Sequence, residues 1–267
     1  MSTESWAVAA PQTIEIEGVT EVNVRLQDGR AEVVASPEAT GTRVEVLEVG
    51  PKPLQVTRDG GRVRIGYEST WYDSVVAKVK SLRQNERAVV RVTVPVGTAV
   101  DVGTVEADVD VSGGRQVAAK TVSGAVRVAG ATGPLSLKSV SGTLAVTEHT
   151  GDVSASTVSG SLALSGALAR VSLNTVSGRT TVASDVGSSP MITGKSVSGG
   201  LDVKLSAGTP VNVKVRGASG QVVLDGSVLP SSGATLVVDH AEQPADGRAA
   251  AYLSATVTSG HVTIDRR

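Results

Sequence analysis

The 267-residue chain has no cysteine and no phenylalanine, and aromatic residues make up only 2% of it. Without cysteine there is no disulfide framework, no thiol nucleophile and no thiolate metal site. Lys+Arg number 25 against Asp+Glu 26, a formal net charge of -1. That balance excludes the basic surface of a nucleic-acid binder and an acidic solvating tail. No uncharged apolar run approaches the roughly 20 residues that span a bilayer as a helix. The opening stretch from Met1 to Gln12 has neither a basic start nor an apolar core of roughly 7–15 residues, and Glu4 has the wrong sign for a leader. The expected location is therefore cytoplasmic.

What the chain does have is Val, Leu, Ala and 30 Gly, with 40% hydrophobic and 19% charged residues, a globular composition. The phrase Val-Ser-Gly begins at Val122, Val140, Val158, Val176 and Val197, at intervals of 18, 18, 18 and 21. Weaker copies lie at Thr104-Val105, Ala218-Ser219-Gly220 and Thr258-Ser259-Gly260. Each corner is followed by an alternating stretch such as Thr143-Leu144-Ala145-Val146, then by a second apolar pair such as Leu135/Leu137 or Val171/Leu173. A spacing of two inside each pair is strand period.

An 18-residue unit of short strands reads as one coil of a solenoid, each coil about 4.8 Å above the last. The expected fold class is all-β: a β-solenoid with coils of ~18–21 residues. Stacked inward positions explain the small Val and Leu core and the missing Phe. The corner serines are expected to form a structural hydroxyl ladder rather than nucleophiles, because no His or acid recurs with them. Leu144 and Leu162, at equivalent places in successive coils, are expected to stack in the core. The Val122/Val128/Val140/Val146 spacing in multiples of six hints at a three-sided prism, although a two-sheeted roll fits the same coil length.

The run Arg91-Val-Thr-Val-Pro-Val-Gly-Thr-Ala-Val100, leading into Thr104-Val105 and the reiterated Val-Ser-Gly corners, resembles the bacterial domain-of-unknown-function 4097 family, whose members also carry the label putative adhesin. The resemblance covers residues 90–225 well and 11–70 more loosely. It implies a β-solenoid and brings no catalytic residues.

Four regions are expected: a disordered N-terminus (1–10), β-rich coils or an antiparallel cap (11–100), regular repeats (101–225), and degenerate coils with a cap (226–267). Asp265-Arg266-Arg267 reads as charged gatekeepers on an end strand. A short amphipathic helix is expected over 73–87, because Val75, Val76, Val79 and Leu82 fall at helical offsets. Its outer face carries Lys78, Lys80, Arg83 and Arg87, and just before it sit Trp71 and Tyr72; these six are the candidate binding residues, scarce aromatics beside cations of the kind that anchor a protein partner or an anionic membrane surface.

Other chemistry is thin. Glu148, His149 and Asp152 could hold a metal, and Asp108 with Asp110 could be paired carboxylates, but a loop and a solvated strand face explain them as well. His240 and His261 read as surface residues. No catalytic residue, metal or cofactor is expected. The function expected is a non-enzymatic scaffold or interaction protein. The alternatives are an exported adhesin, a self-assembling filament similar to bactofilins, and a carbohydrate-active β-helix enzyme.

Overall fold

The computed structural model describes residues 3–67, 86–185, 187–232, 235–243 and 249–267, and among these there are strands but no helix. The chain is all-β, with mixed parallel and antiparallel pairing, and divides into compact units at 1–131 and 132–267.

The first unit begins with β1 (Thr3–Val8), β2 (Gln12–Ile16), β3 (Glu21–Leu26), β4 (Asp28–Ser36), β5 (Thr42–Val49) and β6 (Leu54–Asp59). It continues with β7 (Arg62–Gly66), β8 (Arg87–Pro95), β9 (Ala99–Thr104), β10 (Asp108–Ser112), β11 (Gln116–Thr121) and β12 (Val126–Ala129). Consecutive strands form layers, and equivalent strands of successive layers pair in parallel. The order β7–β3–β9–β11 runs beside β8–β4–β10–β12. The β3/β4 layer is thus inserted between two layers that follow it in the chain. On the outer layer β5 and β6 pair antiparallel with β8 and β7, and β2 and β1 pair antiparallel with them in turn. Residues 11–100 are therefore both parallel layers and an antiparallel cap. Residues 3–8, expected to be disordered, form β1 instead, because the cap supplies β6 as a pairing partner.

The second unit comprises β13 (Leu135–Ser139), β14 (Leu144–Thr157), β15 (Leu162–Ser184), β16 (Met191–Leu205), β17 (Val211–Leu224), β18 (Ser227–Val228), β19 (Leu236–Ala241) and β20 (Ala251–Arg266). Its parallel order is β13–β14–β15–β16–β20–β17. Leu144 pairs with Leu162, as expected, and both are buried. The Val-Ser-Gly corners fall in line because Ser177 pairs with Ser198 and Ser198 with Ser259.

Sequence order misleads at the C-terminus. The last strand is not an end: β20 inserts between β16 and β17, and the antiparallel strands β18 and β19 cap β17. The terminal charges accordingly do not guard an edge. The Arg267 N–H donates to the Leu205 carbonyl at 3.0 Å, so the backbone stays paired almost to its last residue. The Arg266 guanidinium grips Glu242 at 2.7 Å and also Asp225 in the turn after β17. Glu242 in turn accepts the Val211 N–H at 3.1 Å.

Two further expectations change. Val128 and Val146 face inward and are buried, but Val140 faces outward and is 44% exposed, so the multiples-of-six hint at a prism loses its basis. The reason is the alternation itself. Leu135, Leu137 and Ser139 point inward, which leaves Val140 outward. The corner hydroxyls also divide their work. In the first three corners the residue before Val is buried and closes the turn: Gly160 N–H donates to Thr157 Oγ1 at 3.0 Å and Gly142 N–H to Ser139 Oγ at 2.8 Å. The serine after Val is exposed, and its hydroxyl donates to the Val carbonyl one layer back, as Ser159 does to Val140 at 3.3 Å. The serines therefore bond to backbone and not to one another.

Glycine is required at the corner by closeness. A Cβ on Gly160 would lie 2.0 Å from the Gly142 carbonyl oxygen, and one on Gly199 would lie 2.2 Å from that of Gly178. Backbone would have to move, so Gly160→Ala should cost on the order of 2–4 kcal/mol in urea unfolding, at the upper end for a single substitution. A loss within about 0.5 kcal/mol, typical of a neutral surface change, would mean that the layers are free to spread there.

The Arg266 clasp predicts an acid response. Burial on its own would raise the carboxyl pKa values of Asp225 and Glu242, but the hydrogen bonds and charge of Arg266, with the Val211 N–H at Glu242, outweigh it and lower both. A carboxyl whose folded pKa lies below its unfolded value, near 4, stabilises the fold above that value and loses the contribution as pH falls further. Wild type should therefore lose more stability between neutral pH and about pH 3 than Arg266→Met. Parallel pH profiles of the urea midpoint would show that the clasp contributes nothing.

Candidate functional site

Alternation along the second unit's strands sets one row of side chains outward in every layer. Because the layers are in register, each row continues as a column. One column reads Lys138, Ser156, Asn174, Lys195, Thr256 and Arg216. Beside it toward the corner run Val140, Val158, Val176 and Val197, 44–49% exposed. On the other side lie the hydroxyls of Ser154, Ser172, Thr193 and Ser254, and beyond them Met191, 48% exposed, and Tyr252, 39% exposed. A shallow groove of about 440 Å³ follows the valines and Lys195.

This concentration is not what a chance scatter of apolar residues gives. Among the described residues of this unit seven large hydrophobic side chains are exposed, and all but Val228 lie on this face. Single exposed apolar residues need no explanation, but contiguous patches mark interaction sites. The charge on the face is one-sided as well. Asp152 is held by Arg170 at 3.8 Å and Asp239 by Lys214 at 3.9 Å. Lys138, Lys195 and Arg216 have no carboxylate within ion-pair distance among the described residues.

The candidates read from sequence fare differently. Trp71, Tyr72, Lys78, Lys80 and Arg83 lie outside the described residues, as does the proposed helix as far as residue 85. Arg87 is not helical. It opens β8, and its guanidinium lies 3.9 Å from Asp28 and 4.0 Å from Glu48, so it is a surface ion-pair member. Just before it Glu86 is buried and paired with Lys52 at 3.0 Å, which is incompatible with the solvent-facing side of a helix. Tyr67 is also buried, and its hydroxyl donates to the Arg87 carbonyl at 3.0 Å. Burial first, and then the Glu86 charge, raise its phenol pKa against a backbone hydrogen bond at Gly50.

The remaining candidates disperse. His149 is fully buried, whereas Glu148 and Asp152 are exposed, and Asp152 accepts the Arg170 N–H at 3.1 Å. No group of three or more His, Asp or Glu among the described residues is placed to hold a metal ion. Asp108 accepts the Ala125 N–H at 2.9 Å, and Asp110 lies between Arg30 at 2.9 Å and Arg127 at 3.6 Å. His240 is half-buried, 3.5 Å from Glu242. His261 is exposed. A polar cleft of about 730 Å³ in the first unit is lined by Glu4, Glu15, Arg43 and Arg58, which are spent on one another as Arg43–Glu15 and Arg58–Glu4 pairs.

Fold and face together define the class: a β-repeat protein of parallel, in-register layers that carries an outward apolar and cationic face. The chain belongs to the Toastrack DUF4097 family, which it matches over residues 12–267. A putative lipid binding protein from Parabacteroides distasonis is similar in structure, with a TM-score of 0.51 at 13% identity, over 97% of this chain and 98% of that one. A putative adhesin from Bacteroides fragilis aligns over 98% of this chain and 96% of its own at 12% identity, with a TM-score of 0.43. No curated protein matches.

If the valine ladder serves recognition and not folding, replacing it should leave the fold intact. Val158→Ser/Val176→Ser should unfold within about 1 kcal/mol of wild type, as exposed substitutions do. Leu162→Ser, one strand-turn away but buried, should cost several kcal/mol through cavity formation and an unpaired hydroxyl. Equal losses in both would make the valines part of the core.

Proposed function

We propose that the chain is a non-enzymatic β-solenoid interaction scaffold whose binding surface is the outward face of β13–β17 and β20. The observation that carries this reading is the gathering of Val140, Val158, Val176, Val197, Met191 and Tyr252 on that one face. A column of isolated residues on a rigid sheet makes a ready-ordered surface, so little conformational entropy is lost when a partner arrives. Several charged groups elsewhere are engaged in ion pairs across layers, as in Arg91–Glu32 at 3.0 Å and Arg62–Glu21 at 2.8 Å.

Two other readings weigh less. Self-assembly into a filament needs open strand edges, whereas β18 and β19 lie antiparallel on β17. Adhesion outside the cell would use the same repeat architecture, but no residue pattern on the face selects it. The description of the Parabacteroides distasonis protein as lipid binding instead favours a place at a membrane surface.

Photo-crosslinking in the cells that make the protein tests the surface. A benzophenone side chain at position 158 should form adducts, and one at Ala163, on the strand segment beyond the corner, should not. Matching yields at both positions would sink the assignment.

A further inference from the structure

We infer that this face binds the surface of an anionic phospholipid bilayer, an inference that rests on the reading of the face as the binding surface. Three observations converge. The first is amphipathy within a single plane. The apolar groups form two borders, with Val140, Val158, Val176 and Val197 on one side and Met191 and Tyr252 on the other. The strip between them is polar, with the hydroxyls of Ser154, Ser172, Thr193 and Ser254 beside the column that holds the cations. Interfacial binding needs this combination, apolar groups to enter the acyl boundary and cations to sit at the phosphates.

The second observation is the sign and isolation of the charge. Lys138, Lys195 and Arg216 are exposed, occupy one column and have no carboxylate within ion-pair distance among the described residues. The acids at the margin, Asp152 and Asp239, are each engaged by a neighbouring cation. An anionic surface is therefore complementary to the column of cations, near which no carboxylate lies within ion-pair distance among the described residues.

The third is size. Six strands at about 4.8 Å and seven residues at about 3.3 Å give a face of about 24 by 20 Å. A face of that extent meets several lipid headgroups at once, whereas a single small ligand would use only a corner of it. Short valine side chains on a sheet surface suit shallow contact at the headgroup level. Tyr252 adds an amphipathic ring of the type found at membrane interfaces.

The experiment is flotation of the purified full chain with vesicles of phosphatidylcholine alone and of phosphatidylcholine containing one-third phosphatidylglycerol. Wild type should float with the anionic vesicles and scarcely with the neutral ones. The effect should fade between about 0.1 M and about 1 M NaCl, as the Debye length falls from about 10 Å to about 3 Å. Each cation near such a surface contributes roughly fivefold to partitioning, so Lys138→Gln/Lys195→Gln/Arg216→Gln should lose on the order of 100-fold. A charge-matched control, Arg179→Gln/Lys204→Gln/Arg267→Gln, removes cations from outside the strip and should keep binding. Val158→Ser/Val176→Ser should weaken binding to anionic vesicles at unchanged melting temperature.

Equal partitioning to both vesicle types, no flotation with either, or equal loss in both triple variants would overturn the inference. If flotation fails while position 158 still crosslinks to a protein, or to a second copy of this chain, the lipid assignment falls and the scaffold reading stands. Absence of any adduct at position 158 removes both.

Discussion

The repeat layers of this structure depend on one layer lying on the next in parallel register, a strand spacing of about 4.8 Å. Register converts sequence positions into columns, so a residue chosen once must be tolerated against its own copies above and below. The corner column has to be glycine because the carbonyl of the previous corner stands 2.0–2.3 Å from where a Cβ would be at Gly160, Gly178, Gly199 and Gly260. The inward columns stay apolar or small, as in Leu144 on Leu162 and Val153 on Val171. Phenylalanine has no place in columns of this kind, and the chain has none. The buried hydroxyls before Val122, Val140, Val158 and Val176 follow too. Thr157 and Ser139 stand where alternation demands an inward side chain and the turn needs an acceptor for the glycine N–H.

A stack so regular has a problem at its ends, since the outermost strands offer unpaired backbone. Each unit meets it with the same device, a change from parallel to antiparallel pairing. In the first unit β5 and β6 run back along the outer layer, and in the second β19 and β18 run back along β17. Each unit also places strands out of chain order inside the stack: β3/β4 between later layers and β20 between β16 and β17. A strand with partners on both sides is held by two hydrogen-bond ladders instead of one. Arg266 adds a side-chain lock to the second case by joining the end of β20 to the turn after β17 and to Glu242 after β19.

The repeat, the all-β class and the family were legible from the sequence because register leaves a period that composition cannot hide. The stacking of Leu144 on Leu162 was legible for the same reason. What could not be read was which layer lies beside which. A period of 18–21 residues shows that β16, β17 and β20 are equivalent and leaves their order open, so the last strand reads as an end. The Val122/Val128/Val140/Val146 spacing suggests a prism, although alternation from Leu135 through Leu137 to Ser139 places Val140 outside. Scarce aromatics near 71 and cations up to Arg87 stand out more in the sequence than this outward valine column does, and the described one, Arg87, is an ordinary strand residue with two carboxylate neighbours.

The column rule also separates the face from the fold. An inward column is constrained by packing on every side, whereas an outward column is constrained only by its two neighbours and by solvent. The outward column at Lys138 accordingly changes from layer to layer, from Lys to Ser, Asn, Lys, Thr and Arg, while the buried column at Leu137 stays apolar or small through Ala155, Leu173, Gly194 and Ala255. Against that latitude, four successive valines at the outward corner position stand out, since nothing in the packing demands them and threonine and alanine occupy the same place at Thr258 and Ala218. Strand propensity favours Val over Ser or Ala by less than about 1 kcal/mol and does not select a face. An exposed apolar column carries a cost in solubility. A contact that excludes water from the column removes that cost. Lys138 and Lys195 beside the valines add charge to the face and offset part of that cost.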